Sequence, residues 1–178
     1  MDRERIRRRE ERLRTATGIE RAKILVWLVN HDRSCDAETV ETRAEEAVAL
    51  TDGGVHPDLA ARARMALSRA RLATSDPAVA LELAEEARGM ARSPEIRIEA
   101  RRRVAIAAIY GGDLDRARGS LEQARAESGE HEVSSLLRAR LLDTMATGWE
   151  RPPVTACSPR RWLSPIAWRR RRSTPMPR

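Results

Sequence analysis

A chain of 178 residues with no Phe and a single Tyr has to build its core from Ala, Leu, Val and Ile, which suits closely approaching helices better than a thick two-layer core. No window approaches the roughly 18 uncharged apolar residues of a membrane span, and Met1-Asp2-Arg3-Glu4-Arg5 lacks an apolar leader, so a cytoplasmic chain is expected. The net charge of +7 is uneven: eight arginines and no acidic residue follow Glu150, and removing those eight from the 34 basic residues leaves 26 against 27 acidic ones, so positions 1–150 show no bias towards nucleic acid.

Residues 2–14 form a charged helical candidate in which only Ile6 and Leu13 are apolar, and the mixed Glu and Arg point to a solvated leader helix. Thr17 with Glu20 three residues on is a capping-box signature; it opens a helix through His31 that carries Ile24, Leu25, Trp27, Leu28 and Val29. Asp36 can cap the next helix, which stops at Thr51-Asp52-Gly53-Gly54. Pro57 suits a first helical turn and starts a helix to about Ala73. Ser75-Asp76-Pro77 starts one through Met90, and Ser93-Pro94-Glu95 one through Tyr110, closed by Gly111-Gly112. Asp113 opens a helix ending near Ser128-Gly129, and a last helix is expected over 131–146 before Gly148. No strand pattern occurs, so the chain reads as all-α.

Ala117, Leu121 and Ala124 lie on one helical face behind Gly112-Asp113. The same spacing recurs as Ala80, Ala84 and Ala87 behind Ser75-Asp76, and as Val40, Ala44 and Ala47 behind Cys35-Asp36. Self-similarity every 37 to 40 residues points to stacked helical hairpins. Ala105, Gly112, Ala117, Leu121 and Ala124 resemble the small, turn, small, bulky and small places of the tetratricopeptide repeat. Ser68, Ser75, Ala80, Ala84 and Ala87 stand at those places one unit earlier, and Leu28 and Cys35 at the small and turn places of a looser first unit. Arg101 and Ala108 replace the family's first-helix Trp and Tyr. The resemblance implies a right-handed helical-hairpin solenoid over residues 17–150, after a charged leader at 1–16, with three complete repeats and an interrupted fourth.

The fourth unit begins with Leu136, Leu137, Leu141 and Leu142 on a helix, and then Pro152-Pro153 removes two backbone donors where a helix should continue. Residues 151–178 hold six of the nine prolines and no apolar periodicity, and are expected to be a disordered basic tail. The abrupt break, with 33 arginines to one lysine suggesting a GC-rich gene, favours a reading-frame slip near codon 152. The alternatives are a basic arm in which Trp162, Trp168 and Arg169 to Arg172 grip nucleic acid or an anionic surface, and a neutral disordered tail.

No catalytic constellation assembles. His31, His56 and His131 are far apart, the pairs Glu45-Glu46 and Glu85-Glu86 have neighbouring arginines, Cys35 and Cys157 match no metal spacing, and the Gly-Gly pairs are helix stops. A non-catalytic protein-interaction module, with neither cofactor nor metal, is therefore expected. In the resembled family the first helices of successive units line a concave groove. Carrying those places over gives Arg62, Met65, Arg69, Arg102, Ile106 and Tyr110, a set suited to an acidic-hydrophobic peptide or a neighbouring domain. An open fourth unit would also favour self-association. The alternatives are a regulatory segment cut from a larger bacterial signalling protein, such as a diguanylate cyclase or transcriptional regulator, and nucleic-acid binding through the tail.

Overall fold

The computed structural model describes residues 2–32 and 34–147, and all regular structure among them is helical. In chain order the helices are α1 (Asp2–Leu13), α2 (Gly18–His31), α3 (Ala37–Thr51), α4 (Pro57–Ala73), α5 (Pro77–Met90), α6 (Pro94–Gly111), α7 (Leu114–Glu130) and α8 (Ser135–Thr147). Each packs against its chain neighbour. In addition α4 touches α2, α6 touches α4, and α8 touches α6, so alternate helices make a continuous inner row backed by α3, α5 and α7.

The start of each backing helix is set by one residue. Asp36, Asp76 and Asp113 accept the backbone N–H of Thr39, Val79 and Arg116 at 2.8, 3.2 and 3.0 Å, satisfying a donor that the first helical turn leaves unpaired. The preceding turns repeat as well. Asp113 N–H donates to the Ala108 carbonyl and Gly112 N–H to that of Ile109, at 2.9 and 3.2 Å. Thirty-seven residues earlier, Asp76 N–H donates to Arg71 and Ser75 N–H to Leu72, at 2.9 and 3.3 Å. Both are Schellman turns, which need a residue in the left-handed region. Gly112 supplies it at φ 82°, and Ser75, with a Cβ, does so at φ 66°.

The backing helices face inward through alanine. Ala44 and Ala47, Ala80, Ala84 and Ala87, and Ala117, Leu121 and Ala124 are buried at the expected spacing. Ala117 packs in a cluster with Ile98, Ala105, Ala108, Ile109 and Leu141. Ser68, at the place Ala105 fills one unit later, is fully buried, and its hydroxyl donates to the Ala80 carbonyl at 2.7 Å.

The structure corrects four local expectations. Thr17 is the N-cap of α2, but its side chain makes no cap hydrogen bond. The leader α1 is not simply solvated: Arg9 lies over the Trp27 ring at 4.3 Å, Glu10 pairs with Arg43 at 2.9 Å, and Leu13 packs on the cluster of Leu25, Val26, Ala47 and Ala63. The first unit turns differently from the others, because buried Asp32 accepts from Ser34 N–H at 3.0 Å and from the Ser34 hydroxyl at 2.6 Å, taking over the organising role. Helix α7 continues through Gly129, and α8 begins only at Ser135, after Ser134 Oγ accepts the Leu137 N–H at 3.3 Å. Within α8, Leu137 and Leu141 are buried, whereas Leu136 and Leu142 are 62% and 56% exposed. The turn expected at Gly148, the break at Pro152 and the basic tail lie outside the described residues.

Three substitutions test this packing. Ala117→Arg forces a long cation into a fully buried alanine site and should destabilise the chain by about 3 kcal/mol or more in denaturant unfolding; an unchanged midpoint would contradict the register. Ser75→Gly removes the steric cost of a left-handed serine and should stabilise by about 0.5–1 kcal/mol. Gly112→Ala, at a site with open space around the added Cβ, should cost about 1 kcal/mol through φ alone.

Candidate functional site

Helix α6 is enclosed by α4, α5, α7 and α8, so apolar residues surround most of it: Ile96, Ile98, Ala100, Val104, Ala105, Ala107, Ala108 and Ile109 are all buried. Arg97 and Arg101 turn to α7, where both pair with Glu127. What remains is a strip of partly exposed residues at helical spacing, Glu99, Arg102, Arg103, Ile106 and Tyr110, set between α4 and α8.

Glu99 organises the strip. Arg102 donates to its two carboxylate oxygens from Nε and Nη2, at 3.0 and 2.6 Å, and reaches Thr144 Oγ1 on α8 with Nη1 at 3.2 Å. Burial opposes ionisation of Glu99, but those hydrogen bonds and the charges of Arg102, Arg103 and Arg140 hold its carboxyl below the ordinary value. Arg103 is in the reverse position. Burial and the neighbouring Arg102, Arg69 and Arg140, only partly offset by Glu99, push its pKa down to about 10. Its Nε is covered and has no hydrogen-bond acceptor.

Of the residues expected in the groove, Arg102, Ile106 and Tyr110 come together, lining a cleft of about 80 Å³ closed on the α8 side by Asp143 and Thr144. That volume is well short of the roughly 300–1,000 Å³ of small-molecule sites. Arg62 is exposed on α4, and its charge acts on Asp58 one turn earlier. Arg69 reaches across to donate to the Val29 carbonyl of α2. Met65 does not line the strip. It is 7% exposed and packs with Ala61, Ala87, Ala91, Ile96 and Ala100, because its position on α4 points between α5 and α6. Glu99, Arg103, Arg140 and Asp143 were not among the expected residues. A helical wheel of α6 anchored on buried Ala105 places Glu99 and Arg103 beside Arg102 and Ile106; their pairing required the fold.

Cys35 and the paired glutamates elsewhere are engaged. Burial first, then donation to Asp32 Oδ2 at 2.9 Å, raises the Cys35 thiol to about 11, which leaves little thiolate near neutrality. Glu45 and Glu46 pair with Arg71 and Arg21, Glu85 with Arg88 and Arg116, and Glu86 with Arg64. Among the described residues no group of three or more His, Cys, Asp and Glu could hold a metal ion. No helix among them is long and apolar enough to cross a membrane.

Asp58 holds the entrances of α4 and α6 together. Its Oδ1 accepts the backbone N–H groups of Arg92 and Ser93 at 2.7 and 3.1 Å. Burial raises its pKa, but these bonds, the Ser93 hydroxyl and the Arg62 charge outweigh it, and the net shift is downward from 3.8. A carboxylate with a depressed folded pKa stabilises above its unfolded pKa and loses that contribution as pH falls through the folded value. Asp58→Ala should therefore cost about 1–2 kcal/mol at pH 7, with the difference from wild type shrinking as pH falls below 3.8 in pH-resolved denaturant titrations.

No protein-family model, curated protein or solved structure matches this chain.

Proposed function

We propose that the chain is a non-catalytic protein-interaction module: a right-handed solenoid of the tetratricopeptide kind whose inner helix row forms a groove for a peptide or a neighbouring domain. The observation that carries this reading is the α6 strip, where half-exposed Ile106 and Tyr110 stand in line with arginines beside a cleft too small for a typical metabolite. The 37-residue repetition of Schellman turn, Asp cap and alanine face between the second and third units supports the solenoid. Partner capture from lysate followed by mass spectrometry tests the reading. Tyr110→Ala and Arg62→Glu, both at positions with solvent access, should lower recovery of a specific partner severalfold, while deletion of 152–178 leaves it unchanged. Loss on tail deletion alone, with steep salt dependence, would favour the nucleic-acid or anionic-surface reading.

A second reading is self-association through α8, favoured by Leu136 and Leu142, which present large apolar side chains to solvent. Leu142→Glu should convert any dimer seen by light scattering to monomer; a wild-type chain that is monomeric at high concentration excludes it.

A further inference from the structure

One contact recurs from hairpin to hairpin. An arginine of the inner helix reaches a Glu or Gln on the backing helix that follows: Arg21 to Glu46, Arg64 to Glu86 at 2.8 Å, and Arg101 to Gln123. Each acceptor stands two places after a buried seam residue (Ala44, Ala84 or Leu121) and directly before a buried alanine (Ala47, Ala87 or Ala124). Arg64 and Arg101 are 37 residues apart, and 37 residues further stands Arg138 on α8. Helix α8 repeats the inner-helix design. Its Leu137, Leu141 and Thr144 are buried, as Ala100, Val104 and Ala107 are one unit earlier, so the face towards the preceding unit is filled. The other face is open. Ala61 and Ser68 on α4, and Ile98 and Ala105 on α6, are fully buried, whereas their counterparts Ser135 and Leu142 are exposed, and no helix follows α8 among the described residues. Arg138 keeps half of the Arg64 arrangement. Arg64 Nη2 holds Asp52, at the end of the preceding backing helix, at 2.7 Å while its Nε goes forward to Glu86. Arg138 Nη2 donates to the Ser128 carbonyl near the end of α7 at 3.4 Å, and its side chain is exposed.

We propose that the face of α8 carrying Ser135, Arg138 and Leu142 is the seat for an amphipathic helix of another protein chain. That helix has small or apolar residues at i, i+4 and i+7 and a Glu or Gln at i+6, which takes the Arg138 guanidinium. The seat is separate from the inner groove, whose cleft meets α8 at Asp143, Thr144 and Thr147. Seating the helix covers Leu142 and gives Arg138 the forward partner that Arg64 has in Glu86. The chain's own sequence does not supply that helix in this register. Thirty-seven residues beyond Ala117, Leu121, Gln123 and Ala124 stand Val154, Ser158, Arg160 and Arg161, which set one arginine opposite Arg138 and another at a place that elsewhere encloses alanine. A second copy does not supply it either: α3, α5 and α7 are seated in their own hairpins, α1 has no alanine, and α8 has no Glu or Gln.

The test titrates the full chain, at fixed ionic strength, with a capped peptide of the α7 sequence, residues 113–130, carrying Gln123→Glu, and with a twin carrying Gln123→Arg. Binding is followed by anisotropy of the labelled peptide and by the backbone amide resonances of α8. The Glu peptide should bind saturably, move the α8 resonances around Leu142, and bind at least about tenfold more tightly than its twin. Leu142→Glu in the chain should weaken it by about tenfold or more, and Arg138→Glu should reverse the preference between the peptides, which a merely structural arginine would not do. Where Arg138→Glu does not fold, the twin comparison, the α8 resonances and Leu142→Glu decide. No saturable binding of the Glu peptide, equal binding of the twins, or an unchanged preference in Arg138→Glu overturns the seat. Resonance changes centred on α6 rather than α8, the sign of a peptide displacing the resident α7, overturn it as well. A chain that is dimeric by light scattering and becomes monomeric with Leu142→Glu assigns the face to a second copy and overturns the partner helix.

Discussion

The fold depends on how near two helices can come when the seam between them is alanine. At Ala44 and Ala47, then Ala80, Ala84 and Ala87, then Ala117 and Ala124, the backing helices present methyl groups that are completely enclosed. Each methyl contributes only about 0.8 kcal/mol of burial, so the gain lies less in area than in proximity, which lets the bulkier Leu25, Leu28, Ile98, Leu121 and Leu141 close the space on either side. A chain without Phe has few other ways to fill a core. Ser68 shows the tolerance of the seam: a hydroxyl is accepted at full burial because the Ala80 carbonyl receives it.

Charge is distributed by the same geometry. Arginines reach across to neighbouring elements from both rows: Arg71 of α4 to α3, Arg64 of α4 to α5 and to Asp52, Arg116 from α7 back to Glu85 on α5. Such partly exposed pairs contribute little individually, but they pair cation with anion and leave those surfaces locally balanced. One stretch of the inner row is different. Along α6, Glu99 takes both its hydrogen bonds from Arg102, and Arg103 beside it has a covered Nε without an acceptor.

The backing-helix caps and alanine faces were readable in the sequence because each is a local signal, an Asp at a helix entrance or small residues at a fixed period. The helical class followed from the same signals. What escaped was decided by neighbours. Thr17 and Glu20 carry a capping-box pattern, yet Glu20 pairs with Arg12 at 2.7 Å and the Thr17 side chain makes no cap bond. Met65 fits the expected groove spacing by family position, but a rotation of α4 that puts Arg62 in solvent puts Met65 between α5 and α6. Three consecutive arginines, 101 to 103, look equivalent in the sequence; one pairs with Glu127, one with Glu99, and the third with neither. The right-handed tetratricopeptide-like character remains a proposal supported by the repeat spacing.

The inner row is not equally secure along its length. Eight residues of α6 are buried, whereas α8 buries only Leu137, Leu141 and Thr144 among the described residues. Among the described residues α8 therefore has less buried packing than α6 to oppose local opening. Amide protons of α8 should then exchange with solvent well before those of α6, and the cleft wall formed by Asp143 and Thr144 opens whenever α8 frays. A ligand seated against Thr144 would therefore act as a staple, slowing exchange across the whole of α8 while leaving α2 and α3 at their own rates.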